Sequence, residues 1–218
     1  KAWRCSTCFR RQAPATRPSA HNLPRPPSFN HTVPLDIKMV KDTEGHNFDA
    51  LNMLDVHTRC SRLEVLAGKA SGDEVVEKFI ETWVAWAGVP LVIILDQGGE
   101  LISHKFAALL GRFGIVPRIV PTESAWQHGL VERHGSILGD VVRATTAEVQ
   151  ATGFQEMKAV CRAAAPQKNR RPDRTGYGAS QRVFGTVERV IPGNLDAALE
   201  EIGELVEHLV HLPRGARG

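Results

Sequence analysis

Leu91-Val92-Ile93-Ile94-Leu95 is an unbroken apolar run that ends on Asp96, with Gln97-Gly98-Gly99-Glu100 directly behind it. A run of strand length with no polar position has to be covered on both faces, which is the situation of an inner strand in a sheet carrying helices on each side. In open sheets of that kind, ligands collect beyond the carboxyl ends of the strands. A carboxylate at that end, next to two residues without side chains, leaves room for a bulky backbone to come close.

The rest of the chain supplies the sheet and its covering helices. Residues 32 to 40 alternate as a strand and carry Asp36; Lys41-Asp42-Thr43-Glu44-Gly45 is a polar turn; residues 47 to 57 and 62 to 67 return as further strands. Three strands joined by short connections read as an antiparallel meander. The period then changes. Ser71 with Glu74 three residues on forms a capping box, and Val75, Val76, Phe79, Ile80, Trp83, Val84 and Trp86 recur at helical spacing until Gly88 and Pro90. After the apolar strand come a helix over 103 to 113, a strand over 115 to 120, a loop over 121 to 126, and helices over 127 to 150 and 154 to 168. The order β-β-β-α-β-α-β-α-α predicts an α/β fold, a five-stranded mixed sheet flanked by helices.

Two further carboxylates stand out beside Asp96. Asp36 lies mid-strand, where a lone charge is costly unless paired or metal-bound. Glu132 lies on the predicted helix over 127 to 150, with Gly135, Gly139 and Arg143 on its stripe and Leu130, Ile137, Leu138 and Val141 on the buried side. Each glycine in a helix interior costs about 1 kcal/mol against alanine. Two of them beside Glu132 imply either a bulky group that must come close or tight helix packing. Thirty-five residues separate Asp96 from Glu132, but a chain with nine Asp and fifteen Glu can produce that spacing by chance. The flanking residues carry the signal: Gln-Gly-Gly-Glu after Asp96, and Trp126-Gln127-His128-Gly129-Leu130-Val131 before Glu132.

With those flanks, residues 28 to 187 resemble the catalytic core of retroviral and LTR-retrotransposon integrases. The stretches that carry the resemblance are LDIKMVKDTEGHNFDALNMLDVHTRCSRLEVL, LDQGGEL, AWQHGLVERHGSIL and GYGASQRVFG. The resemblance implies a ribonuclease-H-like fold and maps the family's D,D-35-E carboxylates onto Asp36, Asp96 and Glu132. It implies polynucleotidyl transfer on DNA, with two Mg2+ or Mn2+ ions held by those three residues: 3′ processing of element ends, then strand transfer into target DNA. It also implies DNA and a homo-oligomer as partners, an origin in a Pol-type polyprotein, and an intracellular setting in the nucleus or a retroelement particle. Two positions depart from the family: Gly135 stands where Asn is usual, and His128 where Asn is common. The alternative is a decayed or domesticated core that binds DNA or self-associates without catalysis. A ribonuclease H on the same fold fits the WQHGLVERH stretch less well.

Charge and cysteines frame this core. Residues 1 to 27 form a basic, Pro-rich arm; residues 1 to 30 hold six Lys/Arg and no acid. Residues 188 to 218 are expected to form an acidic helical tail, with six acidic residues against Arg189 between 188 and 207. Basic segments on a chain of net charge +3 suit a nucleic-acid partner. Lys105, Arg133, Arg143, Lys168, Arg170 and Arg171 are candidates for phosphate contact, as is Arg174. Cys5 and Cys8 form a C-x2-C pair, half of a tetrahedral zinc site, and resemble the end of the integrase His-His-Cys-Cys module, so zinc binding there is incomplete. Cys60 and Cys161 read as small buried residues. No apolar run approaches membrane-spanning length.

Overall fold

The computed structural model describes residues 26–96, 103–120 and 125–186, and the side chains among them except those of Asp96, Val120 and residues 125–128. The basic arm with Cys5 and Cys8, the glycine pair after Asp96, and the acidic tail lie outside the described residues. The chain divides into two units, Lys1–Thr186 and Val187–Gly218, and every described residue belongs to the first.

Five strands build one sheet: β1 Thr32–Lys41, β2 Asn47–Leu54, β3 Ser61–Val65, β4 Val92–Asp96 and β5 Val116–Val120. Their spatial order is β3-β2-β1-β4-β5. The first three pair antiparallel as a meander, and β4 and β5 add in parallel beside β1. The apolar run is therefore an inner strand, as its composition requires. The second strand stops at Leu54, earlier than its hydrophobicity implies. Asp55 is fully buried and accepts from Thr58 N–H and the Thr58 hydroxyl, both at 2.6 Å, and from Asn30 N–H at 2.9 Å. Those bonds bend the chain into a turn in which Arg59 takes φ 71°. Asp55 is thus a structural residue.

Alternation along β1 separates two cores. Val33 and Leu35 are buried with Ile37 against one core, which includes Leu51, Met53, Phe79, Trp83, Ile93, Leu95 and Phe106. Val40 belongs to the other, with Ala50, Leu63, Leu138, Val141, Met157, Val160 and Cys161. The first core is roofed by α1 Gly72–Phe79, a π-helical turn Ile80–Val84, α2 Ala85–Ala87 and α3 His104–Phe113; the second by α4 Ala125–Val149 and α5 Gly153–Arg170. A short α6, Ala179–Phe184, follows.

Ser71 caps α1 by accepting from Glu74 N–H. The Glu74 carboxylate does not return the bond to Ser71 and accepts from Ala67 N–H instead, so the expected capping box is half made. The π-helical turn breaks what reads in sequence as one continuous helix. Within it Trp83 is fully buried and donates its indole N–H to Asn30 Oδ1 at 2.9 Å. Cys60 and Cys161 are both buried and in no disulfide, and burial, with Glu64 nearby, pushes the Cys161 thiol up to about 12. Among the described residues, no helix is long and apolar enough to cross a membrane.

Candidate active site

Strand register brings the backbones of Asp36 and Asp96 to neighbouring strands. Thr32, Val33, Pro34 and Leu35 pair in order with Val92, Ile93, Ile94 and Leu95. Asp36 and Asp96 are the next step of that ladder, on neighbouring strands about 4.8 Å apart. Leu35 faces the first core, so alternation along β1 puts Asp36 on the opposite face, the one covered by α4. That helix carries Glu132.

The link between Asp36 and α4 is a lysine. Lys38 is two residues beyond Asp36, on the same face, and its ammonium lies 3.0 Å from Asp36 Oδ2. The Asp36 side chain is 33% exposed and that of Lys38 26%. The lysine stem runs against α4 at Gly135, where a Cβ would overlap its Cε and Nζ and stand 3.5 Å from its Cδ. Gly135 is the residue three positions after Glu132, almost one helical turn. The bulky group implied by a glycine beside Glu132 is thus a side chain of the protein itself. Gly139 has a different neighbour, Arg143 Nη1 at 3.6 Å, on its own helix.

Asn52 is the cross-strand partner of Asp36. It is only 2% exposed, and its Oδ1 is without a hydrogen-bond partner among the described residues. Asp36, Lys38 and Asn52 therefore share one face of the sheet beneath the helix that bears Glu132. Glu132 itself is exposed. Sequence reasoning singled out neither Lys38 nor Asn52. Their signal was available: Lys38 shares the Asp36 face by the period of two, and glycine at 135 demanded a neighbour.

The carboxylates of Asp36 and Glu132 and the amide oxygen of Asn52 are ligand types that the hard cations Mg2+ and Mn2+ take. A cation, the Lys38 ammonium, already rests on Asp36, and the Asn52 oxygen is unsatisfied. Among the described residues no three His, Cys, Asp or Glu side chains gather to hold a metal; the Asp96 carboxylate lies outside that set.

The remaining candidates scatter. Lys105 is ion-paired with Asp73, and Arg143 with Asp140, all four well exposed. Arg133 and Arg171 are exposed, and Arg170 is half-buried. Lys168 is different: it is 5% exposed and donates to Arg59 O and Ser61 Oγ, so it ties α5 to the β2–β3 turn rather than facing solvent. Burial, opposed by Cys60 and aided by Arg59, brings its ammonium down to about 8. Next to it in sequence, Asn169 accepts from Ser61 N–H and donates to Ser61 O, both at 2.9 Å. His134 is half-buried; burial, then Lys168, Arg59 and Arg133, push its pKa down to about 3. It is neutral near pH 7, and its Nδ1 is without a hydrogen-bond partner among the described residues.

No protein-family model matches the chain, and no curated protein does. Solved structures do. The HTLV-2 integrase catalytic core domain in complex with magnesium, in its trimeric form, is 18% identical with a TM-score of 0.61, over 72% of this chain and 99% of that one. A chain of the simian T-cell lymphotropic virus intasome in complex with PP2A regulatory subunit B56 gamma is 17% identical with a TM-score of 0.67, over 87% of this chain and 66% of that one. The catalytic core domain of BIV integrase is 15% identical with a TM-score of 0.57, over 84% and 99%. At these identities the likeness is one of fold: an α/β five-stranded mixed sheet flanked by helices, as in the integrase cores.

Proposed function

We propose that this chain carries a retroelement integrase catalytic core, which joins DNA by metal-dependent polynucleotidyl transfer. The observation that carries the reading is the β1–β4 ladder, whose last pair, Leu35 with Leu95, directly precedes Asp36 and Asp96, with Asp36 on the sheet face that the Glu132 helix covers. The integrase fold of the solved neighbours, one of them in complex with magnesium, supports it.

Asp36, Asp96 and Glu132 would hold the divalent cations, which supply electrostatic stabilisation of charge developing at phosphorus and on the attacking and leaving oxygens. The protein's own work is to present three carboxylates from two strands and a helix, and to leave space for a phosphodiester beside them. In 3′ processing, water attacks the phosphorus near the element end; the bond to the 3′ oxygen breaks and a free 3′ hydroxyl remains. In strand transfer that hydroxyl attacks a phosphorus of target DNA, and the target's own 3′ oxygen leaves. One phosphodiester forms as one breaks, so no covalent link to the protein is required. Exposed Arg133 and Arg171 are the cations best disposed to meet phosphate, with Lys105 and Arg143 released from their surface partners. DNA and further copies of the chain are the partners this reading entails; the trimeric HTLV-2 core and the intasome are in keeping with it. A core that binds DNA without transfer is the competing reading, and the Lys38 ammonium on Asp36 is the observation on its side.

Asp96→Asn separates the two. The amide keeps the shape and removes the charge that holds a cation. Joining of labelled duplex ends with Mg2+ or Mn2+ is expected to disappear, while DNA binding across a salt series persists, because sequence-independent affinity comes from Lys and Arg contacts to phosphate. Equal joining by variant and parent refutes the role of Asp96. A parent that binds DNA but never joins ends favours the binding-only core.

A further inference from the structure

We propose that Lys38 is a built-in counter-cation of the site, one that competes with divalent metal for Asp36 and couples metal loading to the arrival of DNA. The inference rests on the reading of Asp36 as a metal ligand, and it concerns how that ligand is kept and released.

Three observations converge on it. The Lys38 ammonium is 3.0 Å from Asp36 Oδ2, so a metal ion on that oxygen and the ammonium would be two cations at contact distance. The end of Lys38 has a seat of its own: it occupies the space over Gly135, space that any other residue's Cβ would take. The cross-strand partner of Asp36, Asn52, has its Oδ1 without a hydrogen-bond partner among the described residues, an oxygen beside Asp36 that a cation can use.

The device follows from ordinary electrostatics. While Asp36 has no metal, the ammonium neutralises it and keeps the carboxylate from repelling its companions. A metal ion must displace that ammonium, which weakens metal binding. Incoming DNA offers the ammonium a phosphate instead, and lysine's four-carbon stem lets it turn from one anion to the other. Metal binding and DNA binding are then mutually favourable, and the coupling is reciprocal by linkage. The Gly135 position completes the arrangement, because a side chain there would push the lysine end off Asp36 before any metal arrived.

The test measures Mn2+ binding to the whole chain by electron paramagnetic resonance, with and without a short duplex, for the parent, Lys38→Met, Gly135→Ala, Lys38→Arg and Asp36→Asn. Circular dichroism first establishes that each variant is folded, and Gly135→Ala is a second route to the same effect, since alanine suits a helix and only the flexible lysine end need move. In the absence of DNA, Lys38→Met is expected to bind Mn2+ about fivefold more tightly, the scale of one partly exposed ion pair. Gly135→Ala should shift in the same direction, and Lys38→Arg should restore weak binding. Added duplex should tighten Mn2+ binding in the parent and much less in Lys38→Met. Unchanged Mn2+ affinity in both Lys38→Met and Gly135→Ala overturns the inference; if Asp36→Asn still weakens binding, the metal-ligand reading stands without it. If neither the parent nor Lys38→Met binds Mn2+, the metal-ligand reading fails and takes the inference with it.

Discussion

At the scale of single residues, the glycines separate what packing requires from what helices merely tolerate. A Cβ on Gly178 would stand 2.8 Å from both Arg170 O and Asn169 O, backbone atoms at the end of α5 that cannot swing away. A Cβ on Gly139 would meet only the exposed Arg143 Nη1 at 3.6 Å, the far end of a long side chain. Gly178→Ala is therefore expected to destabilise the fold by about 1 to 3 kcal/mol, the scale of overpacking. Gly139→Ala is expected to be neutral or to stabilise by up to about 1 kcal/mol through helix propensity. Urea unfolding of the two variants against the parent checks both signs, and equal effects would show that the contacts at Gly178 do not decide its cost. Of the glycines on the Glu132 stripe, sequence alone could not say which faced a neighbour, because the neighbour of Gly135 is Lys38, on a strand almost a hundred positions earlier in the chain.

At the scale of elements, the turns decide how the sheet and the α4–α5 pair hold together. Asp42 ends β1 with its side chain fully buried, accepting from His46 N–H at 2.8 Å, the His46 ring at 3.0 Å and Gly153 N–H at 3.0 Å. Thr43 adds two bonds to Ala151 O. One strand turn is thereby pinned to the turn between α4 and α5. Burial alone would raise the Asp42 pKa, but the Gly153 and His46 donors outweigh it and hold the carboxyl at about 2, below its ordinary 3.8. A carboxylate with a depressed native pKa stabilises the fold above its unfolded value, and that stability is lost as pH falls through the native one. Between pH 4 and pH 2 the parent should lose stability more steeply than Asp42→Asn, which is less stable at neutral pH and flatter in acid. Thermal unfolding across that range tests it, and parallel pH profiles would contradict the assignment. The strands and helices themselves were legible because their periods are local. The end of β2 was not, since Asp55 bends the chain through bonds that hydrophobicity does not register. The π-helical turn and the short α6 were equally hidden: both lie in stretches whose apolar spacing reads as continuous helix or as loop. Lys168 was misplaced for a related reason. A lysine among arginines reads as solvated, and only the fold shows that it is buried against Arg59 and Ser61.

At the scale of the molecule, two cores on opposite faces of one sheet do the positioning. The α1–α3 layer covers Val33, Leu35 and Leu95. That leaves the alternate positions of β1, with Asp36 among them, to the α4 face, where Leu138, Val141 and Val142 seat the helix bearing Glu132. A one-residue slip of β1 against β4 would separate Asp36 from Asp96 and turn the leucines outward together, so the hydrophobic register and the candidate site stand or fall as one. The sequence made the sheet readable and singled out the three carboxylates as candidates. It could not show that a lysine from the same strand face stands on the first of them, because that contact depends on the approach of a helix from far along the chain.

The most direct test of that account is a crystal of the chain grown with Mn2+ and recorded at the manganese absorption edge. The expected result is anomalous density within about 2.2 Å of carboxylate oxygens of Asp36 and Asp96, with Glu132 turned toward the same ion or its neighbour. Carboxylates of any two of these residues more than about 12 Å apart, beyond the reach of a shared two-metal site, would contradict the central claim.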